Sequence, residues 1–129
     1  MFVGLNPATT NETADDPTIR RVISLAKIRG YGGVYMLNCF PYVTTNPADL
    51  REFGNTDLNN DWLYETAPLC EEIIFAWGSF AVVKELGRDV ELTTMFPTAK
   101  ALIINKDGSP RHPLYVPSSV VPVMWKLSS

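Results

Sequence analysis

One histidine, two cysteines and no long apolar run: what this chain of 129 residues lacks narrows its chemistry early. Cys39 and Cys70 are too few and too far apart for a metal motif or a disulfide framework, so both read as reduced, largely buried thiols. No stretch approaches the roughly 20 apolar residues that a membrane-spanning helix needs. The start has neither the basic region nor the long apolar segment of a secretory signal. A cytoplasmic protein without membrane contact is the expectation. Cationic excess is missing as well: 11 Lys and Arg face 14 Asp and Glu, for a net charge of −3. Binding duplex phosphate over the whole surface leans on clustered Lys and Arg, so that mode is disfavoured, while a local basic lip is not. Neither a Ser-His-Asp order nor a metal-ligand spacing is visible, and no metal or other cofactor is expected.

What is present suffices for one domain spanning residues 1–129. A hydrophobic content of 46% supplies one ordinary core, and 19% charged residues argue against disorder. MFVGL already reads as a strand, so either the fold is pared to its minimum or an upstream segment is missing from this stretch. That strand breaks at Gly4-Leu5-Asn6-Pro7. Asp16 then Pro17 is a helix cap with proline at the first helical position. Ile19, Val22, Ile23 and Ala26 repeat at helical spacing, and Arg29-Gly30 closes the helix. Val34 to Leu37 reads as a second strand ending at Asn38. A long loop follows, then a short helix capped by Asn46, and another starting near Asn60 and stopping before Pro68. Residues 72–77 (EIIFAW) form a third strand that turns at Gly78-Ser79 into a helix through about Leu86. Residues 100–105 (KALIIN) form a fourth. Strands with near-continuous apolar runs, separated by helices, predict a parallel sheet covered on both faces.

In such a sheet, ligands bind outside the carboxyl ends of the strands. The polar signatures all fall there: Asn6-Pro7, Asn38, Gly78-Ser79, and the lone His112 in a loop stiffened by Pro110, Pro113 and Pro117. Four loops are therefore expected to converge on one crevice. The plainer reading of His112 is a helix cap or a gap filler.

Several segments carry a resemblance. GLNPA at 4–8, LNCFPYV at 37–43, AWGSFA at 76–81 and SPRHPLYVP at 109–117 follow the order and spacing of the uracil-DNA glycosylase superfamily. DDPTIRR with GYGG, and KDGSPRHPLY, resemble domain of unknown function family 1643 more closely and over nearly the whole chain. The resemblance implies a three-layer α/β/α sandwich with a short, mostly parallel four-stranded sheet. It also implies roles. Asn6 matches the first-loop position that is aspartate in uracil-removing members and asparagine in mismatch-specific ones. Asn38 matches the asparagine that reads the amide edge of the base, and His112 the histidine that donates to the base carbonyl as the glycosidic bond breaks.

The residue types suit that chemistry. An amide carries donor and acceptor together and can meet a pyrimidine N3–H and O4 at once. A neutral imidazole N–H stabilises the negative charge left on a departing base. Asn6 can orient water but cannot take its proton, so Asp15 is the candidate carboxylate, Asp16 being the more natural cap. Phe40 and Tyr42, which follow Asn38, are candidates to stack on the base. Arg111 is the phosphate candidate, with Ser79 and Arg20 behind it; Ser79 also suits a helix cap, and Arg20 suits a pairing with Asp16. The chain departs from the superfamily where Leu114 replaces the serine-proline ending of the histidine loop and where no duplex-wedging residue is evident. A missing wedge favours single-stranded, modified or free nucleotide substrates, because extruding a paired base costs a few kcal/mol. The expected function is recognition and N-glycosidic excision of a pyrimidine-like base in DNA or a nucleotide, as a DNA glycosylase-like hydrolase. The alternative is a non-catalytic nucleotide- or nucleic-acid-binding module that keeps the crevice.

Overall fold

A computed structural model describes residues 1–5, 16–41 and 56–127. The described strands are β1 (Phe2–Gly4), β2 (Met36–Asn38), β3 (Ile74–Phe75), β4 (Lys100–Ala101) and β5 (Val123–Met124). The described helices are α1 (Pro17–Ile28), α2 (Asp57–Thr66), α3 (Ala81–Glu85) and α4 (Arg88–Met95). The strands form one sheet in the order β2-β1-β3-β4-β5. The first four run parallel, with Val3 opposite Leu37 and Phe75, and Phe75 opposite Ala101. β5 closes the edge antiparallel to β4.

Alternation along these short strands puts apolar side chains on both faces. Val3, Phe75 and Ala101 pack with Leu63 of α2, Val82 and Val83 of α3 and Leu92 of α4. Phe2, Ile74 and Leu102 pack with Val22 and Leu25 of α1 and with Val116. The expectation of a covered parallel sheet therefore holds as an α/β fold, but the sheet is mixed and has five described strands rather than four. The fifth hides in the sequence because Pro117 and Pro122 precede it, and its pairing partner lies more than 20 residues upstream. The third and fourth strands are also shorter than expected, at two residues each.

Local signals set the helices. Asp16 caps α1, its Oδ1 accepting from the backbone N–H of Thr18 at 2.8 Å and Ile19 at 3.3 Å, with Pro17 in the first turn. Gly30, at φ 82°, takes the chain out of the helix. α2 begins at Asp57, before the expected Asn60, and ends ahead of Pro68 as predicted. α4 was not expected from its polar sequence. Gly87 at φ 68° precedes it, and the hydroxyls of Thr93 and Thr94 bond back to the carbonyls of Asp89 and Val90. The short helix expected after Asn46 lies outside the described residues. Both cysteines are free; burial pushes the Cys39 thiol well above its ordinary range despite the nearby Arg88, so it stays protonated.

At the amino edge of the sheet, Glu72 gathers Arg29 from the end of α1 (Nη2 to Oε1, 3.0 Å) and Lys100 of β4 (Nζ to Oε1, 2.7 Å). Burial alone would raise this carboxyl, but hydrogen bonds from Lys100, Tyr31 and Arg29 outweigh it and hold Glu72 at about 2. A carboxylate depressed in the folded state stabilises above its ordinary value of 4.5, and that stability is lost as pH falls through 2. Glu72→Gln is expected to cost roughly 2 kcal/mol at neutral pH, allowing for solvent screening at the cluster. In thermal melts, the gap between wild type and variant is constant above about pH 5 and closes as pH is lowered toward 2.

Candidate active site

The order β2-β1-β3 reverses direction at β1, which makes the carboxyl ends of β1 and β3 a topological switch point, where open α/β sheets hold ligands. β1 ends at Gly4 and pairs there with Asn38, the last residue of β2. Gly4 is required by closeness. A Cβ on it would meet Oδ1 of Asn38 at 2.8 Å and the terminal methyl of Met36 at 2.7 Å, so the missing side chain leaves room for the carboxamide. Asn59 of α2 secures this segment from behind, its Nδ2 donating to the carbonyls of Asn38 (2.8 Å) and Cys39 (3.3 Å). Arg88, buried at the start of α4, adds a bond from Nε to the same Cys39 carbonyl at 2.9 Å.

On the other side of β1, the chain leaves β3 through Ala76, whose N–H still donates to the Val3 carbonyl at 2.9 Å, and Trp77 to Gly78. The Gly78 N–H donates to the carbonyl of Pro110 at 2.9 Å, which draws the histidine loop onto the end of β3. Gly78 has φ 83°, and a Cβ there would lie 3.4 Å from the Phe80 ring and 3.6 Å from Cβ of His112. Phe80 and His112 thus flank one point above the Gly78 backbone. Asn38 and His112 stand at the same edge of the sheet, on or beside strands two spacings apart, about 10 Å.

His112 is half-buried. Its Nδ1 accepts from the backbone N–H of Leu114 at 3.2 Å, which leaves the ring proton on Nε2. Burial lowers its pKa from 6.5, and the charge of Asp16 at the start of α1 opposes that shift. At neutral pH the ring is an uncharged N–H donor. Tyr115 covers one flank at a centroid distance of 5.8 Å. The expected alternative of a capping histidine is also realised, since the same Leu114 bond caps the 3-10 turn Pro113–Tyr115.

A polar network supports the loop. Ser79 and Ser109 share a hydroxyl–hydroxyl bond of 2.8 Å, and Asn105 Nδ2 donates to both, at 3.1 and 3.0 Å. Asp107 accepts from the Ser109 hydroxyl and backbone N–H, and these two bonds lower its pKa. Arg111 is tied through Nε to Asn105 Oδ1 at 2.7 Å. Ser79 therefore links two loops rather than capping α3, whose first-turn N–H groups receive no side-chain bond. Arg20 lies on the exposed face of α1.

Phe40 calls for correction as a stacking ring. It is 1% exposed and packs within the apolar cluster that holds Leu63 and Trp77, so its faces are already occupied. The chain stays paired through it, Phe40 N–H to the Leu5 carbonyl at 3.0 Å, which turns the ring inward. Asn6, Asp15 and Tyr42 lie outside the described residues. Phe80, 39% exposed beside Gly78, is an aromatic that the sequence reading passed over although it stands within AWGSFA. Asn105 was also missed; a polar residue ending an apolar strand, the signal that found Asn38, was available for it.

A cavity of about 250 Å³ adjoins this edge, between Trp77, Phe80, Asp89, Asp107, Ser109 and Trp125. A slightly larger one, about 290 Å³, opens at the opposite, amino edge among Phe2, Leu25, Tyr31, Tyr35, Glu72 and Leu102. Neither cavity is lined by His112 or Asn38; the smaller one borders the Gly78-Ser79 turn at the carboxyl end of the sheet, where topology places ligands, and so is favoured despite its volume. Among the described residues no group of His, Cys, Asp and Glu is arranged to hold a metal ion, and no described helix is long and apolar enough to cross a membrane.

The model of a family described as "Protein of unknown function (DUF1643)" matches residues 1–114, which takes in every segment of this edge up to His112 and Leu114. No curated protein and no solved structure matches the chain.

Asp16→Asn keeps the helix cap, since asparagine caps as well as aspartate, but removes the charge facing the imidazole. The single histidine gives one set of ring resonances. Titrated by proton NMR, its midpoint is expected to fall further below 6.5 in the variant, with melting temperature nearly unchanged.

Proposed function

We propose that this chain, which belongs to the DUF1643 family, recognises a pyrimidine-like base in nucleic acid or a nucleotide and cleaves its N-glycosidic bond. One observation carries the reading: His112, whose Cβ sits beside Gly78, is held as a neutral Nε2–H donor at the switch-point edge where Asn38 ends β2. A donor fixed before the reaction costs no reorganisation when charge develops on the departing base. Such a donor is worth roughly 3–4 kcal/mol of barrier. Asn38 reads the base amide edge with its donor and acceptor, in the space Gly4 leaves open. Phe80 offers the exposed ring on which the base stacks. Arg111, oriented by Asn105, meets a phosphate, with Ser79 and Arg20 as further candidates at the rim. Asn6 positions the attacking water and Asp15 activates it in this scheme. Apolar clusters on both sheet faces support a three-layer, uracil-DNA glycosylase-like arrangement.

A binding module without catalysis is the second reading. What favours it is the state of Asp16, the carboxylate whose charge reaches His112: its Oδ1 is spent on capping α1. On that reading the crevice holds a base or nucleotide and releases it unchanged.

The test is a panel of single- and double-stranded oligonucleotides carrying uracil, thymine mismatches or bulky modified bases, scored for abasic sites. Cleavage is expected on unpaired or modified bases, and His112→Ala is expected to slow it about 10²–10³-fold. Cleavage unaffected by that change rules out the assigned role, and tight binding without abasic sites selects the module. Gly4→Ala, which pushes the Asn38 carboxamide aside, is expected to weaken base binding about tenfold, measured by titration against the same oligonucleotides.

A further inference from the structure

We propose that Arg21 of α1 is a positioning residue for His112, fixing the loop that presents the imidazole to the crevice. The proposal rests on His112 being the working group of the function proposed above, and it is argued from how that loop is held. Pro113 and Pro117 have no N–H, so beyond the histidine the segment cannot tie itself down through a backbone ladder. Ahead of the histidine, backbone bonds do hold it: Asn105 N–H to Ser109 at 2.8 Å, Gly78 N–H to Pro110 at 2.9 Å and Arg111 N–H to Ile103 at 2.8 Å. Beyond it, among the described residues, only Tyr115 N–H to His112 and Val120 N–H to Pro117, both at 3.1 Å, remain. The carbonyls that follow the histidine need outside donors.

Arg21 supplies them. Its Nε donates to the Pro113 carbonyl at 3.4 Å, its Nη1 to the Ser118 hydroxyl at 3.1 Å, and its Nη2 to the Val116 carbonyl at close range. Pro113 and Val116 bracket the 3-10 turn that His112 caps. One rigid fork therefore spans the turn from its first residue to just past its last, a reach that a single ammonium cannot copy. Arg21 touches neither the Gly78 point nor the Nε2–H; its action passes through the loop backbone. The charged and titratable groups around the imidazole are few among the described residues. Asp16 at the start of α1 is the charge that acts on the ring, and Tyr115 packs beside it. Arg21 and Arg111 are engaged on the loop backbone, Ser118 and Asn105, and the Gly78-Ser79-Phe80 turn brings no charge.

The readout is the ring itself, followed without substrate. In the wild type, ¹H–¹⁵N spectra should show the single Nε2–H tautomer and a midpoint below 6.5. Arg21→Met and Arg21→Lys are both expected to let water reach the ring, raise the midpoint toward 6.5 and mix the tautomers; Lys keeps the charge, so a matching change in both is an effect of geometry. Ser118→Ala removes one contact of three and is expected to give a smaller change in the same direction. Should Arg21→Met not fold, Arg21→Lys and Ser118→Ala decide. Variants that melt earlier but keep the wild-type midpoint and tautomer overturn the proposal, as does a midpoint that moves in Met and not in Lys. On any oligonucleotide the wild type cleaves, Arg21→Lys is expected to lower kcat about tenfold with little change in KM. Failure of every oligonucleotide counts against the glycosidic reading and leaves the NMR result to judge Arg21.

Discussion

The place of the histidine loop at the carboxyl edge depends on the hydrogen bond from Gly78 N–H to the carbonyl of Pro110. β4 is only two residues long, and the histidine comes eleven residues after it ends. Bonds from Asn105 N–H to Ser109 and from Arg111 N–H to Ile103 fold the segment back on the continuation of β4, and the Gly78 bond fixes it against the neighbouring strand. The bond makes the loop an extension of the ladder, and the positive φ of Gly78 turns the backbone so that the N–H can point at it. Once Pro110 is placed, the neighbouring prolines carry the direction forward with few free torsions. Asn38 reaches the same edge by ordinary parallel register, two strands away.

Support for these groups comes from behind, and it is polar. Asn59 and Arg88 converge on the carbonyls of Asn38 and Cys39, while Asn105, Ser109 and Ser79 form the corresponding network under the histidine loop. Each network satisfies carbonyls and hydroxyls that a short strand leaves over once its ladder ends. Arg88 Nη2 is the exception, buried without a partner while Nε and Nη1 are engaged. The five-residue α3 adds little of its own and serves mainly to bury Val82 and Val83.

What could be read from the sequence was whatever neighbours decide. Asp16-Pro17 opens α1 and Arg29-Gly30 closes it because caps need only residues within a turn. Asn38 and His112 reach one edge because parallel βα order forces strand ends to the same side. Misreadings came where the deciding partner is remote. Val123–Met124 looks like proline-rich coil until β4 offers it an edge. Phe40, taken as part of a loop, stays paired to Leu5 and so turns into the core. The role of Arg21 could not be read locally, since its acceptors lie 92 to 97 residues downstream. The strand count fell short for the same reason.

Helix α1 is fastened at both ends of the sheet, and a mechanical consequence follows. Twelve residues make a rod of about 18 Å. Arg21 near its start grips the chain beyond the histidine, and Arg29 at its finish grips Glu72 at the far edge. Sliding the rod along its axis by one residue's rise, about 1.5 Å, obliges both arginines to re-seat their hydrogen bonds. Its position is thus gauged against the sheet from two opposite ends, like a beam bolted at each abutment, and the apolar stripe between them only has to fill space.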